Sequence, residues 1–441
     1  MNFDYVLLLF QATCLGLIVV RALQRSQHRN LFALLIPTTL LILIYTQAGW
    51  VLQQFEQKES SIIVHLTQEI SLSAAQFAIQ LMIGLTLAYL IAYLSFAPQT
   101  KYLAHHIKPA SVQQIHYLLV GVWQIGFGFI LIQTLGGLTN MINQPGQAVG
   151  GQTMLLIAIS IGKLPLFYKI SRCQRIHPID IVLFSSTFLL TLFNSRFLAS
   201  FILIQFLLIY NYAVREVPRK AMFYAVLALI LIFIGYGLYR DNAALNPDLS
   251  VSERLAAILD RAGSDENPIN WFYRTNVEGF AGLAGLLTHI EKNGPITHDL
   301  GLSNLTLFTQ LIPNSLRNNP NLPFGTLASY FSSFYPYTGS VVPSGLENAY
   351  AHFGIFGILG LGILLGYLTR YLHWQLRLPT LNRLLWALLS VQVFNLIRGT
   401  FRNALFFGLA DFVMCNLFMF ILSLKFAHYK LHIPLRLKSK P

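Results

Sequence analysis

Apolar runs of about 17 to 25 residues recur along the whole chain, separated mostly by short polar connections. They fall near 3–23, 31–51, 72–97, 115–138, 153–170, 178–193, 197–213, 221–239, 346–369, 381–397 and 403–424. A helix of that length crosses ~30 Å of hydrocarbon while satisfying its own backbone, whereas barrel strands would alternate apolar and polar positions. The pattern predicts an all-α polytopic membrane protein of about eleven transmembrane helices. The first run, Phe3 to Leu23, has no basic region ahead of it and no small-residue cleavage site behind it, and so reads as a span and not a signal peptide. Residues 1–239 thus hold spans one to eight and residues 346–441 hold spans nine to eleven with a basic tail.

Between them, 240–345 is the one long connection, and loops of that length are functional or disordered. Its SERLAAILDRA segment reads as a short amphipathic helix behind a Ser N-cap, and VEGFAGLAGLLTHIEK as a second, more apolar helix. Segments rich in aromatic residues, Pro and Gly follow. The expectation is a partly helical, ordered cap lying on the membrane surface.

Composition agrees: 55% of residues are apolar, 11% are charged and the mean hydropathy is +0.57. Cys14, Cys173 and Cys415 lie in or beside apolar runs at spacings that suit neither a metal site nor a disulfide framework. The net charge of +13 does not mark a nucleic-acid binder, because the basic residues sit on alternate sides of the spans. Every second connection, with the tail, collects nineteen of the thirty Lys and Arg, from Arg21, Arg25 and Arg29 to Lys438 and Lys440. The opposite short connections hold only Lys58, Arg196, Arg398 and Arg402. By the positive-inside rule the amino terminus and the long loop are outside, and the carboxyl terminus is cytoplasmic.

Arginines on the outer side are therefore the anomaly. Arg196 opens the seventh span, and Arg398 and Arg402, four apart, stand at the outward start of the eleventh. A guanidinium beside a positive helix end repels it unless an anion arrives, and planar forks match phosphate oxygens, so diphosphate is a natural ligand. Snorkelling to headgroups or pairing with carboxylates is the other reading; the nearest acid in sequence, Asp411, lies about two turns deeper. In the loop, WFYRTNVEGF sets Arg274 four before Glu278, either a surface ion pair or part of a site, and Arg317 follows in IPNSLR. PSGLENAYAHFGIFG carries Glu347, Asn348 and His352 into the ninth span; Glu347 is either a helix-start charge or a general base. Lys163 lies within the fifth span, with LPLF behind it bringing it within reach of the cytoplasmic face. His289 and His298 read as surface histidines. Asp-x-Asp, HExxH, GxxxxGK[ST] and CxxC motifs are all absent from the sequence, which argues against nucleotide-driven transport and against a transferase with carboxylate-bound metal.

Five segments carry a resemblance: FNSRFLASFILIQFLLIYNY, WFYRTNVEGF, LIPNSLRNNPNLPFGTLASYF, SGLENAYAHFGIFGILGLGILLG and IRGTFRNAL. Their order resembles the Wzy-type oligosaccharide repeat unit polymerases, which belong with the O-antigen ligases among the GT-C-like membrane glycosyltransferases. The chain departs from that pattern at Asn314, where a basic residue is usual. Ligases generally carry His-Asn where Glu347 and Asn348 stand here, which favours a polymerase.

The resemblance implies inverting, metal-independent and cofactor-free glycosyl transfer on the periplasmic face of the bacterial inner membrane, in surface polysaccharide or lipopolysaccharide synthesis. The implied partners are an undecaprenyl-diphosphate-linked glycan donor and acceptor and membrane lipid, with a place for a chain-length regulator. Arg196, Arg398 and Arg402 would hold the diphosphate, with Arg274 as a further contact and Arg317 as another loop contact. Glu347, then Glu278, then His352 would be the base. The rivals are an O-antigen ligase-type transferase and a flippase or exporter of lipid-linked glycan. The latter should line a path through the membrane with basic residues, which here cluster at one face.

The charge asymmetry makes the first testable statement. In a chain freed of its native cysteines, cysteines placed at Ser60, Gln147 and Ser332 react with an impermeant thiol reagent from outside, and one at Gln174 does not. Labelling of position 174 from outside overturns this topology.

Overall fold

The computed structural model describes residues 71–96, 114–134, 157–194, 196–215, 278–296, 344–378, 383–398 and 401–423, with scattered residues besides. All regular structure among the described residues is helical. In chain order the helices are α1 (Leu72–Ser95), α2 (Gln114–Thr134), α3 (Leu164–Ser171), α4 (Pro178–Asn194), α5 (Arg196–Ala213), α6 (Glu278–Asn293), α7 (Gly345–Arg377), α8 (Arg383–Ser390), α9 (Gln392–Arg398) and α10 (Phe401–Ser423). A 3₁₀ turn, Ser160–Lys163, leads into α3.

Three of these helices contain a stretch long and apolar enough to cross a membrane: Leu72–Ser95, Gly345–Arg377 and Ala404–Leu422. Four shorter apolar helices, Leu118–Gln133, Pro178–Leu192, Leu198–Ala213 and Arg383–Ile397, accompany them. Ile91 and Leu94 of α1 and Phe356 of α7 are well exposed although their helices are apolar, as for side chains that face lipid. The chain is thus a membrane protein whose described residues are helical throughout their regular structure.

Predicted spans 72–97, 115–138, 178–193, 197–213, 346–369, 381–397 and 403–424 coincide with helices, and 153–170 does so in part. That segment breaks at the 3₁₀ turn because Pro165, at the start of α3, removes a backbone donor. Span 381–397 divides at Val391 into α8 and α9. Spans 3–23, 31–51 and 221–239 lie outside the described residues, apart from scattered positions.

The most extensive packing is α1 against α7. Small residues permit it. A Cβ placed on Gly362 would strike the carbonyl oxygen of Leu85, and one on Gly366 that of Tyr89; Ala88 and Ala92 face them from α1. Two small-xxx-small stripes thereby bring the backbones into contact, which substitutes for the hydrophobic drive that lipid removes. Around this pair, Tyr89, Phe167, Tyr212 and Phe418 fill the largest fully buried positions. The hydroxyl of Tyr212 on α5 pairs with Nδ1 of His373 on α7 at 2.7 Å.

Two basic residues, Lys169 and Arg383, which belong to the nineteen counted in alternate connections and the tail, are structural. Lys169 is buried with its Nζ 2.7 Å from Oδ2 of Asp180, which also accepts the amide of His177 at 2.7 Å where α4 begins. Arg383 is nearly buried and donates to the carbonyls of Leu378 and Arg377, closing the α7–α8 turn.

The loop helix predicted in VEGFAGLAGLLTHIEK is α6. Its Leu283, Ala284 and Leu287 enter the core between α1 and α7. At its far end Ser71 and Ser73 donate to Glu291, and Thr288 Oγ1 accepts the Ser71 amide at 3.1 Å. Earlier in the loop, Ser250 and Glu253 form the reciprocal pair of a capping box, two residues ahead of the serine of SERLAAILDRA. Bonds from the Ser250 hydroxyl and amide hold the Glu253 carboxyl below the usual carboxylate range.

Gly362→Ala and Gly366→Ala should each destabilise the purified protein by about 1–3 kcal/mol, because backbone oxygens cannot move aside as a side chain can. Gly360→Ala meets open space and should leave the thermal unfolding midpoint unchanged. Equal losses at all three positions would refute close α1–α7 contact as the cause.

Candidate functional site

Ser344 and Glu347 form a capping box at the start of α7. The serine hydroxyl accepts the Glu347 amide at 3.3 Å, and Glu347 Oε2 accepts the Ser344 amide at 2.6 Å. The helix-start role open to Glu347 in the sequence is therefore realised. The carboxyl is only 1% exposed, and its Oε1 faces Gly282 of α6 so closely that a Cβ there would overlap it. Glu278, four residues earlier, is the first residue of α6.

Asn348 ties three points together. Its Oδ1 accepts the amide of Phe401, the first residue of α10, at 3.3 Å, and its Nδ2 lies 3.0 Å from Nε2 of His352. The Phe401 amide can only donate, which fixes the Asn348 oxygen on that side and its amino group toward the histidine. His352 Nε2 therefore accepts, and the neutral ring carries its proton on Nδ1. The ring is fully buried.

Two residues on, α7 breaks. Gly354 has φ 61° and ψ −143°, a conformation that side chains disfavour. The break frees backbone carbonyls, and the loop supplies donors: Leu300 N–H to His352 O at 3.2 Å and His298 Nδ1–H to Ala351 O at 2.9 Å. His298, a surface histidine on sequence grounds, thus holds the discontinuous helix end. Irregular backbone at a membrane boundary is tolerated where protein satisfies it.

The Asn348–Phe401 bond joins segments 53 positions apart, so the Glu347 helix start and the α9–α10 corner bearing Arg398 and Arg402 stand side by side. Arg196 opens α5, whose first turns share a cavity with α10. The side chains of Arg196, Glu278, Arg398 and Arg402 lie outside what is described, as do residues Arg274 and Arg317 entirely. What converges is thus the starts of α6, α7 and α10, with α5 behind them. Helix starts carry positive dipole ends, a setting suited to an anion, although Ser344 and Asn348 already take one N–H each at the starts of α7 and α10.

Sequence reading did not find the polar cluster beneath these starts. Lys163 does not reach the cytoplasmic face; it is buried with Nζ 3.2 Å from Asp411 Oδ1 on α10. Gln205 and Gln392 donate to Asp411 Oδ2 at 3.3 and 3.1 Å, and Asn395 donates to Gln392 at 2.6 Å. The signal was available: opposite charges inside two spans pair within the bundle. Among the described residues no group of three His, Cys, Asp or Glu could hold a metal ion.

No family model, curated protein or solved structure matches this chain.

Proposed function

We propose that this chain is a bacterial inner-membrane polysaccharide polymerase. It would lengthen a glycan by joining oligosaccharide repeat units carried on undecaprenyl diphosphate. The observation that supports this reading best is the Asn348–Phe401 bond, which puts a carboxylate-bearing helix start beside the Arg398–Arg402 corner. On this reading the chain has about eleven spans, its amino terminus in the periplasm and its carboxyl terminus in the cytoplasm, with a chain-length regulator as a protein partner.

The reaction follows from these positions. The bond between the donor's anomeric carbon and its phosphate oxygen breaks, and the lipid diphosphate leaves with the electron pair. Arg196, Arg398 and Arg402, with Arg274, stabilise that growing charge, so they bind the transition state more tightly than the donor. The acceptor hydroxyl attacks the anomeric carbon from the opposite face, inverting it, and passes its proton to Glu347. Oε2 of that residue is held by the helix cap, so Oε1, in the glycine-wide seam between α6 and α7, takes the proton. Glu278, at the start of α6, is the second choice. His352, whose Nε2 accepts from Asn348, positions that side chain instead of taking the proton. Helix α6 covers the seam and excludes water that would hydrolyse the donor.

Arg196→Ala and Arg398→Ala should each slow polymerisation by roughly 30- to 1000-fold, since one lost contact to the leaving group costs about 2–4 kcal/mol of barrier. Lysine at either site restores activity only in part, for lack of the bidentate fork. Glu347→Gln should be inactive yet still bind donor, because Gln also completes a capping box and leaves the helix start intact. Arg172→Ala, on the cytoplasmic side, is nearly silent. Surface glycan ladders from cells carrying each variant give the readout, and a chain-null cell shows one repeat unit. Normal ladders from both arginine variants at normal expression would return the arginines to headgroup anchors. Loss of surface attachment with accumulating lipid-linked polymer would mark a ligase, and single units trapped inside a flippase.

A further inference from the structure

A cavity lies beneath the starts of α5 and α10. Leu198, Ile202 and Gln205 line it from α5, two to nine residues into that helix, and Phe407, Ala410 and Asp411 line it from α10, six to ten residues in. At 1.5 Å per residue its walls run from about 3 Å to about 15 Å below the two helix starts. Its core is about 50 Å³, within about 480 Å³ of empty space that includes an open mouth. By the measure at which one water needs ~10–15 Å³, the core holds about three or four non-hydrogen atoms.

Its polar groups are incompletely matched. Gln205 is 1% exposed. Its Nε2 donates to Leu388 O at 3.1 Å and to Asp411 Oδ2 at 3.3 Å, and since both partners are acceptors the amide orientation is fixed. Its Oε1 is buried without a hydrogen-bond partner. Lys163, which also lines the cavity, gives one bond from Nζ to Asp411 and has two further protons to donate. An unpartnered acceptor and surplus donors thus belong to residues of one lining, in a cavity whose two charges cancel.

From this we infer that the cavity binds an uncharged, hydroxyl-bearing ligand: on the function proposed above, one edge of a substrate sugar. A hydroxyl donates to Gln205 Oε1 and accepts from Lys163 Nζ, matching both groups at once. An anion meets the Asp411 carboxylate and the Gln205 carbonyl, and a cation meets the Lys163 ammonium. An apolar group leaves both polar atoms unsatisfied, which costs more than a hydrogen bond adds. The ring itself exceeds the core and rests in the mouth, below the arginine-bearing starts where the diphosphate binds.

The full-length chain in lipid nanodiscs, titrated with glucose and N-acetylglucosamine and followed by saturation-transfer NMR, tests this. At least one of the two sugars gives a saturable signal and glucose 6-phosphate gives none. Gln205→Leu weakens binding about tenfold or more, the worth of roughly one hydrogen bond. Ala410→Leu fills the cavity and abolishes the signal, and Ile202→Phe, which narrows it from the opposite wall, does the same should Ala410→Leu fail to fold. Absence of a saturable signal from both sugars means that the cavity holds water only and overturns the inference; so does a signal unchanged in every folded cavity variant. Arg398→Ala separates this inference from the polymerase reading, since on that reading it loses polymerisation while the sugar titration stays as in the parent. Normal polymerisation by Arg398→Ala would sink the arginine assignment and leave the cavity to be decided by the titration.

Discussion

A helix that starts or breaks at a membrane boundary leaves backbone donors and acceptors that lipid cannot satisfy, and this constraint organises the end of the molecule where α7 and α10 begin. Asn348 meets it most economically. One amide side chain takes the first N–H of α10 and holds His352 in place. Ser344 and Glu347 satisfy the start of α7, and His298 and Leu300 satisfy the carbonyls freed at Gly354. These bonds add to the packing of α7 on α8 and α9 in holding the α7 and α10 starts together, and with them the residues proposed to act on one substrate.

Beneath that layer the interior is bound by a different physics. Lys163 and Asp411 are costly to bury singly, and removing either would strand the other, a loss on the order of 3–5 kcal/mol. Their pairing, with Gln205 and Gln392 on the second carboxylate oxygen, ties the 3₁₀ turn, α5, α9 and α10 into one unit. That unit is the floor under the proposed diphosphate site, so polar packing in the membrane and placement of the helix starts are coupled.

Much of this was legible in the residues. Apolar run lengths located the described helices, and Glu347 already read as either a helix-start charge or a general base. Three features were hidden. The Gly354 break falls within an unbroken apolar run, AHFGIFGILG, where hydropathy cannot register a change of backbone conformation. The α1–α7 contact depends on Gly362 and Gly366 meeting Ala88 and Ala92, some 270 positions away, and run lengths carry no pairing information. Lys163 was placed by its distance from the nearest connection, although Asp411 at comparable depth in another span was the better guide. The Pro165 interruption, by contrast, was visible and underweighted.

In the proposed function these helix starts perform glycosyl transfer from a lipid diphosphate without nucleotide or metal. The direct measurement is to give the purified chain only lipid-diphosphate-linked repeat units, in the presence of a chelator, and to resolve the glycan products by length. The expected product is a ladder of longer glycans, with release of free lipid diphosphate. A strict requirement for added divalent metal, or products that never exceed one repeat unit, would contradict it.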